Sequence, residues 1–332
     1  MRSGFIHHRW YRRPVALIVA LLLWGSITVA SGQTNIINLV TKWNPWLKSN
    51  GTAMTDPGGD QQTGQGQDDY IGNLTTCGLM QQVVQDPLVA GDAGKYIVFR
   101  FRMGKYDSNG FGGNTEIGFK LNSVTDGPIN LVMKMTDKTG TQTLTFTTPG
   151  AGANNSPSTP SWGNYAGSIT LSANTYNYAN ATAVDGIVLN STANGGTPTD
   201  STKSTSYVAN SWVTFAIGYS QLQTAIRTYA VDPTSGTPTA PAFTSYTVSD
   251  NSMMSLIAFT STQGNAINQD LFGTTRNTNS SATYSSLGVG TAWGRPDGTI
   301  PEPATFFQLG GLLMTGVAVR FWRTRKSRPQ TS

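Results

Sequence analysis

Apolar residues fall on every second position from 96 to 103. Ile97, Phe99, Phe101 and Met103 share one side of an extended chain, and Val98, Arg100 and Arg102 share the other. A strand is the regular structure that places alternate residues on opposite faces, so this stretch reads as a half-buried β-strand. Residues 130–136 repeat the pattern, with Leu131, Met133 and Met135 against Val132 and Lys134. Further strands are expected at 117–122, 141–148, 183–189, 212–219 and 254–260. The connecting stretches, notably 148–163, 190–205 and 233–241, are rich in Gly, Pro, Asn, Ser and Thr, the residues of turns and loops. Many short strands joined this way predict an all-β protein, an antiparallel β-sandwich or jelly-roll-like body spanning 33–298 as one domain. No fixed-period repeat is visible, which excludes a solenoid or propeller.

One stretch departs from the strand pattern. From Ser220, a residue suited to cap a helix, Leu222, Ala225, Ile226 and Tyr229 recur at helical spacing. A short helix and another strand both stand as readings there.

The two ends differ from the body. Arg2, Arg9, Arg12 and Arg13 precede an apolar stretch at 15–23, extended to Ala30, and small residues follow at Ala30, Ser31 and Gly32. This is the layout of a secretory signal peptide, 1–32, with cleavage after Ala30 or Gly32. At the other end Pro301, Glu302 and Pro303 precede an apolar run at 304–319, and Arg320, Arg323, Arg325 and Lys326 follow. Sixteen residues rise only ~24 Å as a helix, short of a ~30 Å hydrocarbon core, and Phe321 and Trp322 bring the span 304–322 to marginal length. Gly310, Gly311 and Gly316 weaken a soluble helix and are better tolerated in a membrane one. The basic cluster orients the span with residues 327–332 in the cytoplasm and the body outside.

Residues 299–326 resemble the PEP-CTERM sorting signal of Gram-negative bacteria, carried by Pro301-Glu302-Pro303, the glycine-containing apolar run and the basic end. Phe321 and Trp322 interrupt the basic cluster and six residues trail beyond it, but every element of the pattern is present. The resemblance implies processing by an exosortase, a membrane-embedded cysteine transpeptidase, near Pro301-Glu302-Pro303. It further implies export through the Sec translocon, a stage anchored in the inner membrane, and delivery to the cell surface or exopolysaccharide matrix. A single-pass anchor that stays uncleaved is the alternative.

Charge has to be counted without these ends. Of 22 Lys and Arg, four lie in the leader and five beyond Val319, leaving 13; of 17 Asp and Glu only Glu302 lies in the tail, leaving 16. The body therefore carries about −3 rather than the chain's +5, and its charge gives no reason to expect a nucleic-acid partner. The single cysteine, Cys77, cannot form an internal disulfide and reads as a small buried hydrophobe.

Composition also narrows the chemistry. His7 and His8 are the only histidines and leave with the leader, so His-dependent triads and imidazole metal sites are excluded from the exported body. Glycoside hydrolysis needs two carboxylates, and Glu116 is the only glutamate in the body, so a pair would have to use aspartates such as Asp68 or Asp69. The expectation is no enzyme, no cofactor and no metal. Asp107, Ser108, Asn109, Gly110, Asn114 and Glu116 gather oxygen ligands of the kind calcium takes, but depart from the twelve-residue helix-loop-helix pattern. A turn between strands is the simpler reading of them. Sugar binding would use exposed aromatics as stacking platforms: Trp212 reads as core, while Trp43, Trp46 and Trp162 stand among Pro, Gly and Asn where exposure is easier, although a buried packing role is the favoured reading for each.

Residues 255–273 are similar to a segment found in secreted bacterial β-sandwich regions of unknown function. In it a strand runs into a loop whose Asn265, Asn268, Gln269 and Asp270 can fix its shape by bonding backbone. The functional expectation is an exported surface or matrix protein with a structural or adhesive role. A carbohydrate-binding or aspartate-using carbohydrate-active protein is the alternative.

Overall fold

The computed structural model describes residues 33–47, 52–56, 66–72, 77–121, 129–137, 140–149, 162–180, 210–232, 240–252, 254–260, 270–273 and 292–294. The strands are β1 (Asn44–Pro45), β2 (Leu79–Gln85), β3 (Lys95–Met103), β4 (Asn114–Lys120), β5 (Leu131–Thr136), β6 (Thr143–Pro149), β7 (Trp162–Thr170), β8 (Tyr176–Asn180), β9 (Ser211–Gly218), β10 (Met254–Thr260), β11 (Asp270–Leu271) and β12 (Ala292–Gly294). One sheet runs β1-β2-β3-β9-β8; the other runs β11-β10-β4-β5-β6-β7, with β12 also paired to β10. All these pairings are antiparallel. The fold is all-β, with one α-helix, α1 (Tyr219–Tyr229), among the described residues.

The order of strands follows from two crossings. The chain passes from the first sheet to the second between β3 and β4 and again between β9 and β10. Since β3 pairs with β9 and β4 with β10, the two crossings join strands that are neighbours in both sheets. A turn at Ser172, closed by Thr175 N–H on the Ser172 carbonyl (2.9 Å), takes the chain back from β7 to β8.

Both sheets feed one apolar core. β3 supplies Ile97, Phe99, Phe101 and Met103, β9 supplies Val213, Phe215 and Ile217, and the second sheet answers with Ile117, Phe119, Met133, Leu144, Phe146 and Leu256. Phe101 is its hub: its ring lies 5.8 Å from Trp46, 5.8 Å from Tyr70 and 5.5 Å from Phe215, each nearly edge to face. Such offset contacts place a positive ring edge against a negative ring face and add to the burial itself.

The alternation in β3 is as expected, but the strand is buried on both faces. Val98 packs outside the first sheet with Ile36, Val84 and Ala216, and Ile37, Leu39, Val40 and Trp43 lean on that second cluster. The segment before β1 thus covers the outer face. Arg100 survives there because its guanidinium lies 5.0 Å from the Trp43 ring and 4.3 Å from the Trp212 ring, and Arg102 donates to Asn210 Oδ1 at 3.1 Å. Planar guanidinium stacks on aromatic faces and is less strongly hydrated than ammonium, so burial here is tolerated.

Residues 66–72 form a strap between the sheets. Tyr70 bridges to Met103 of β3, while its backbone N–H donates to Asp270 Oδ2 (2.7 Å) and its hydroxyl reaches the Phe259 carbonyl (3.0 Å) and Thr115 Oγ1. At Gly72 of the strap a side chain would meet the Gly78 nitrogen at 2.4 Å. Replacing Phe101 by Ala should therefore cost about 3–5 kcal/mol, read as a lower urea midpoint at unchanged slope; a loss under ~1 kcal/mol would show that the core does not hinge on this ring.

Candidate functional site

α1 begins where β9 ends. The sequence suggested Ser220 as the cap; the cap is Gly218, because the Gln221 side chain reaches back and its Oε1 accepts the Gly218 N–H (3.0 Å). Gln221 satisfies a backbone donor that the helix leaves open, and Gly218 has no side chain to do the reciprocal bond. Tyr219, Leu222, Ala225 and Ile226 are buried, as the helical spacing implied, with Tyr229 half-buried.

A second anchor holds the start of α1. The Tyr219 hydroxyl donates to Asp250 Oδ1 (2.9 Å), and Lys95 Nζ lies 2.5 Å from Asp250 Oδ2 and 3.1 Å from Asp92 Oδ1. The hydrogen bond to Asp250, then the one to Asp92, raises Lys95 above the usual lysine range. Burial alone would raise the Asp250 carboxyl, but the bonds from Lys95 and Tyr219 outweigh it and hold the group below its usual range.

The flank of α1 that carries Ser220, Gln221, Thr224, Ala225 and Tyr229 faces β6 and β7, and between them lies a pocket of about 300 Å³ completed by Phe146, Ser168 and Ile169. Phe146 and Tyr229 lie nearly parallel, 6.2 Å apart at 10°. Tyr229 can cross β7 because residue 167 is glycine: a Cβ there would stand 2.3 Å from the Tyr229 oxygen. The β6–β7 ladder is irregular at this place, shifting register between Phe146 and Thr147 and again between Thr147 and Pro149. The Thr148 hydroxyl donates to the Tyr229 carbonyl (3.0 Å) and ties the end of α1 to that irregular strand.

The residues singled out from the sequence fall elsewhere. Pro301, Glu302, Pro303, Arg320, Arg323, Arg325 and Lys326 lie outside the described residues, as do the leader, the span 304–322 and the strand expected at 183–189. Among the described residues no helix is long and apolar enough to cross a membrane. Asp107 Oδ1 accepts the Asn109 N–H (2.9 Å) and the Asp107 carbonyl accepts the Gly110 N–H (3.2 Å), the bonds of a turn, with Gly110 at φ +111°. Asn114 and Glu116 belong to β4 and are buried in the ladder, where Glu116 registers with Lys134 and Phe259. No group of three His, Cys, Asp or Glu suited to a metal occurs among the described residues.

Trp43 and Trp46 are committed to packing rather than to the stacking face that sugar binding would use. Trp46 is buried and set edge to face against Phe99 and Phe101, since Asn44-Pro45-Trp46 runs as an edge of the first sheet rather than as a surface loop. Trp43 is occupied with Arg100. Trp212 is buried, on the outer face of its sheet. Trp162 pairs through its backbone with Pro149, and its side chain is outside the described residues. Asp68 and Asp69 are buried in the strap, Asp69 accepting the Gly104 N–H through its carbonyl (2.8 Å). Asp270 lies in β11 rather than in a loop, and its Oδ2 accepts the Tyr70 N–H of the strap. Cys77 is half-buried, and burial pushes its thiol up, away from the reactive thiolate.

The pocket itself escaped the sequence reading, because its parts come from β6, β7 and α1 and are joined by pairing at a distance. The one local sign was helical spacing at 220–229. The chain matches no family model, no curated protein and no solved structure.

The anchor of α1 makes stability depend on pH at both ends. The lowered carboxyl of Asp250 stabilises above the unfolded acid's pKa of ~3.9 and loses that contribution as pH falls through its folded value; the raised Lys95 stabilises below ~10.4 and loses it as pH rises through its own. Asp250→Asn should cost about 1 kcal/mol or less at pH 7, since the Asp250 side chain is 44% exposed. The deficit should shrink as pH falls below about 4, where the unfolded wild-type acid takes up its proton, and should vanish once pH passes the lower folded value. Urea unfolding at pH 3 and pH 7 measures both, and an equal deficit at the two would contradict the assignment.

Proposed function

We propose that this chain is an exported surface or matrix protein whose body is a jelly-roll-like β-sandwich. A Sec-type leader, 1–32, delivers it, and the span 304–322 holds it in the inner membrane with Arg320, Arg323, Arg325 and Lys326 on the cytoplasmic side. An exosortase cuts near Pro301-Glu302-Pro303 and the body passes to the cell surface or exopolysaccharide matrix, where its role is structural or adhesive. The observation that carries this reading is the order of three parts at 301–326: a polar tripeptide, one glycine-containing apolar run and a basic cluster. The all-β body and its low net charge support it, as does the lack of histidine beyond the leader.

An aspartate-using hydrolase fits less well. The acids near one another along the strap and its neighbours, Asp68, Asp69, Asp270 and Glu116, are buried in backbone and ladder contacts, whereas a hydrolytic pair must face a cleft that admits a sugar and water.

Intact mass of the protein recovered from the medium and the membranes of its own host tests the proposal. The expected species lacks the first ~30 residues and everything after about residue 303, and replacing Pro301, Glu302 and Pro303 together by Ala should leave the tail attached and the protein in the membrane fraction. Wild-type protein that retains residues 320–332 in the membrane would make the tail a permanent anchor and overturn the sorting step.

A further inference from the structure

We infer that the pocket between α1 and the β6–β7 edge binds a neutral sugar unit of a polysaccharide. The inference rests on the reading above for where such a polymer is met, and on the pocket alone for what is recognised.

Volume comes first. At about 300 Å³ the pocket lies at the small end of the ~300–1,000 Å³ range of ligand sites, room for a ring-sized unit and not for a folded partner. Its lining follows the pattern of such sites, an apolar floor with a few convergent polar groups. Phe146, Ile169, Ala225 and Tyr229 make the floor, and Ser220, Gln221 and Thr224 make the polar wall on one flank of the helix.

The chemistry of that wall selects the ligand. Among the described residues no Lys, Arg, Asp or Glu lines the pocket, so a charged ligand would leave water without a counter-ion from them to meet it. What remains is a phenol, three aliphatic hydroxyls, Ser220 and Thr224 on the helix and Ser168 on β7, and a primary amide. Gln221 spends Oε1 on the Gly218 N–H, which leaves both amide hydrogens to donate. Thr224 donates to the Ser220 carbonyl (2.8 Å), which leaves its oxygen to accept. A donor and an acceptor one helical turn apart, beside a half-buried aromatic ring, suit a ligand with hydroxyls on its edge and C–H groups on its face. A neutral pyranose has both.

The pocket is also built rather than incidental. Two register shifts in β6–β7 fall beside Phe146, and bulges re-aim side chains where sheets carry sites. Gly167 is the residue that allows Tyr229 to lie over β7, and Thr148 pins the same end of the helix.

Thr224→Trp fills the pocket from an exposed position without removing a buried group. The test uses the protein purified from whichever fraction of its host holds it. Its probes are neutral di- to tetrasaccharides of glucose, galactose, mannose and N-acetylglucosamine, with uronate oligosaccharides as the charged contrast, followed by isothermal titration calorimetry. At least one neutral oligosaccharide should bind, and Thr224→Trp should weaken it about tenfold or more while the melting temperature stays within a few degrees. Should that variant not fold, Ser220→Ala with Thr224→Val carries the same expectation of weaker binding.

Binding by no neutral oligosaccharide, or binding that both variants leave intact, would overturn the site. A preference for uronates would overturn its chemistry. Mass analysis reads the tail independently: protein that is processed but binds no sugar fails the site alone, and protein that binds sugar but keeps its tail fails the sorting step alone.

Discussion

Phe99 and Phe101 stand on one face of β3 while Arg100 and Arg102 stand on the other, and both faces lie out of water. A strand in that position obliges the rest of the chain to act. The aromatic face needs a second sheet to close against, and β4, β5, β6 and β10 supply it. The arginine face needs partners for charge as well as cover, and Trp43, Trp212 and Asn210 supply those. The N-terminal segment of the body, with little regular structure of its own, is held in place because it brings Ile36 and Trp43 to that face. Leaving either guanidinium buried without such contacts would cost more than the covering apolar residues return.

What could be read from the sequence, and what could not, follows the same physics. β3 and β5 announced themselves because a face packed on the core forces alternation. The helix α1 did so through the 222–225–226–229 spacing, while its cap was missed because Gln221 acts from inside the helix on a glycine that carries no signal of its own. β2 reads Leu-Met-Gln-Gln-Val-Val-Gln, with paired rather than alternating types, because its outer side is partly covered by the N-terminal segment and its inner side is only partly buried. β7, with glycines at 163 and 167, is missing from the strands expected from the sequence; at 167 the glycine makes room for Tyr229. Local turn chemistry at Asn44-Pro45-Trp46 leaves the tryptophan free to be exposed or buried, and an edge pairing to β2 decides for burial.

The strap at 66–72 shows a further limit of local reading. Its carboxylates invited a catalytic interpretation, yet the tertiary structure uses this stretch as a splice. Tyr70 ties β3 of one sheet to β4, β10 and β11 of the other through its backbone and its hydroxyl. Burial pushes that phenol far above its ordinary range, so it remains a donor at any pH the protein meets. Asp270, 200 residues away, reads as a loop aspartate until its partner is known. Contacts of that separation leave no periodic trace in sequence.

Charge burial also bears on how the outside of this protein can act. Of the 29 charged residues of the body, Asp56, Asp68, Asp69, Arg100, Arg102, Glu116, Lys120 and Asp270 are buried, so the surface is poorer in charge than the composition suggests. Long-range attraction between such a surface and a polymer is weak and is screened within ~8 Å at physiological salt. The proposed recognition would come from short contacts instead: hydroxyls, amides and ring faces fixed by the fold. The flank of α1 provides groups of that kind, held by Gln221 at one end and Thr148 at the other. A body proposed to spend its life in a hydrated, ion-rich matrix loses little by giving up charge at its surface, and the charges it keeps inside serve the fold.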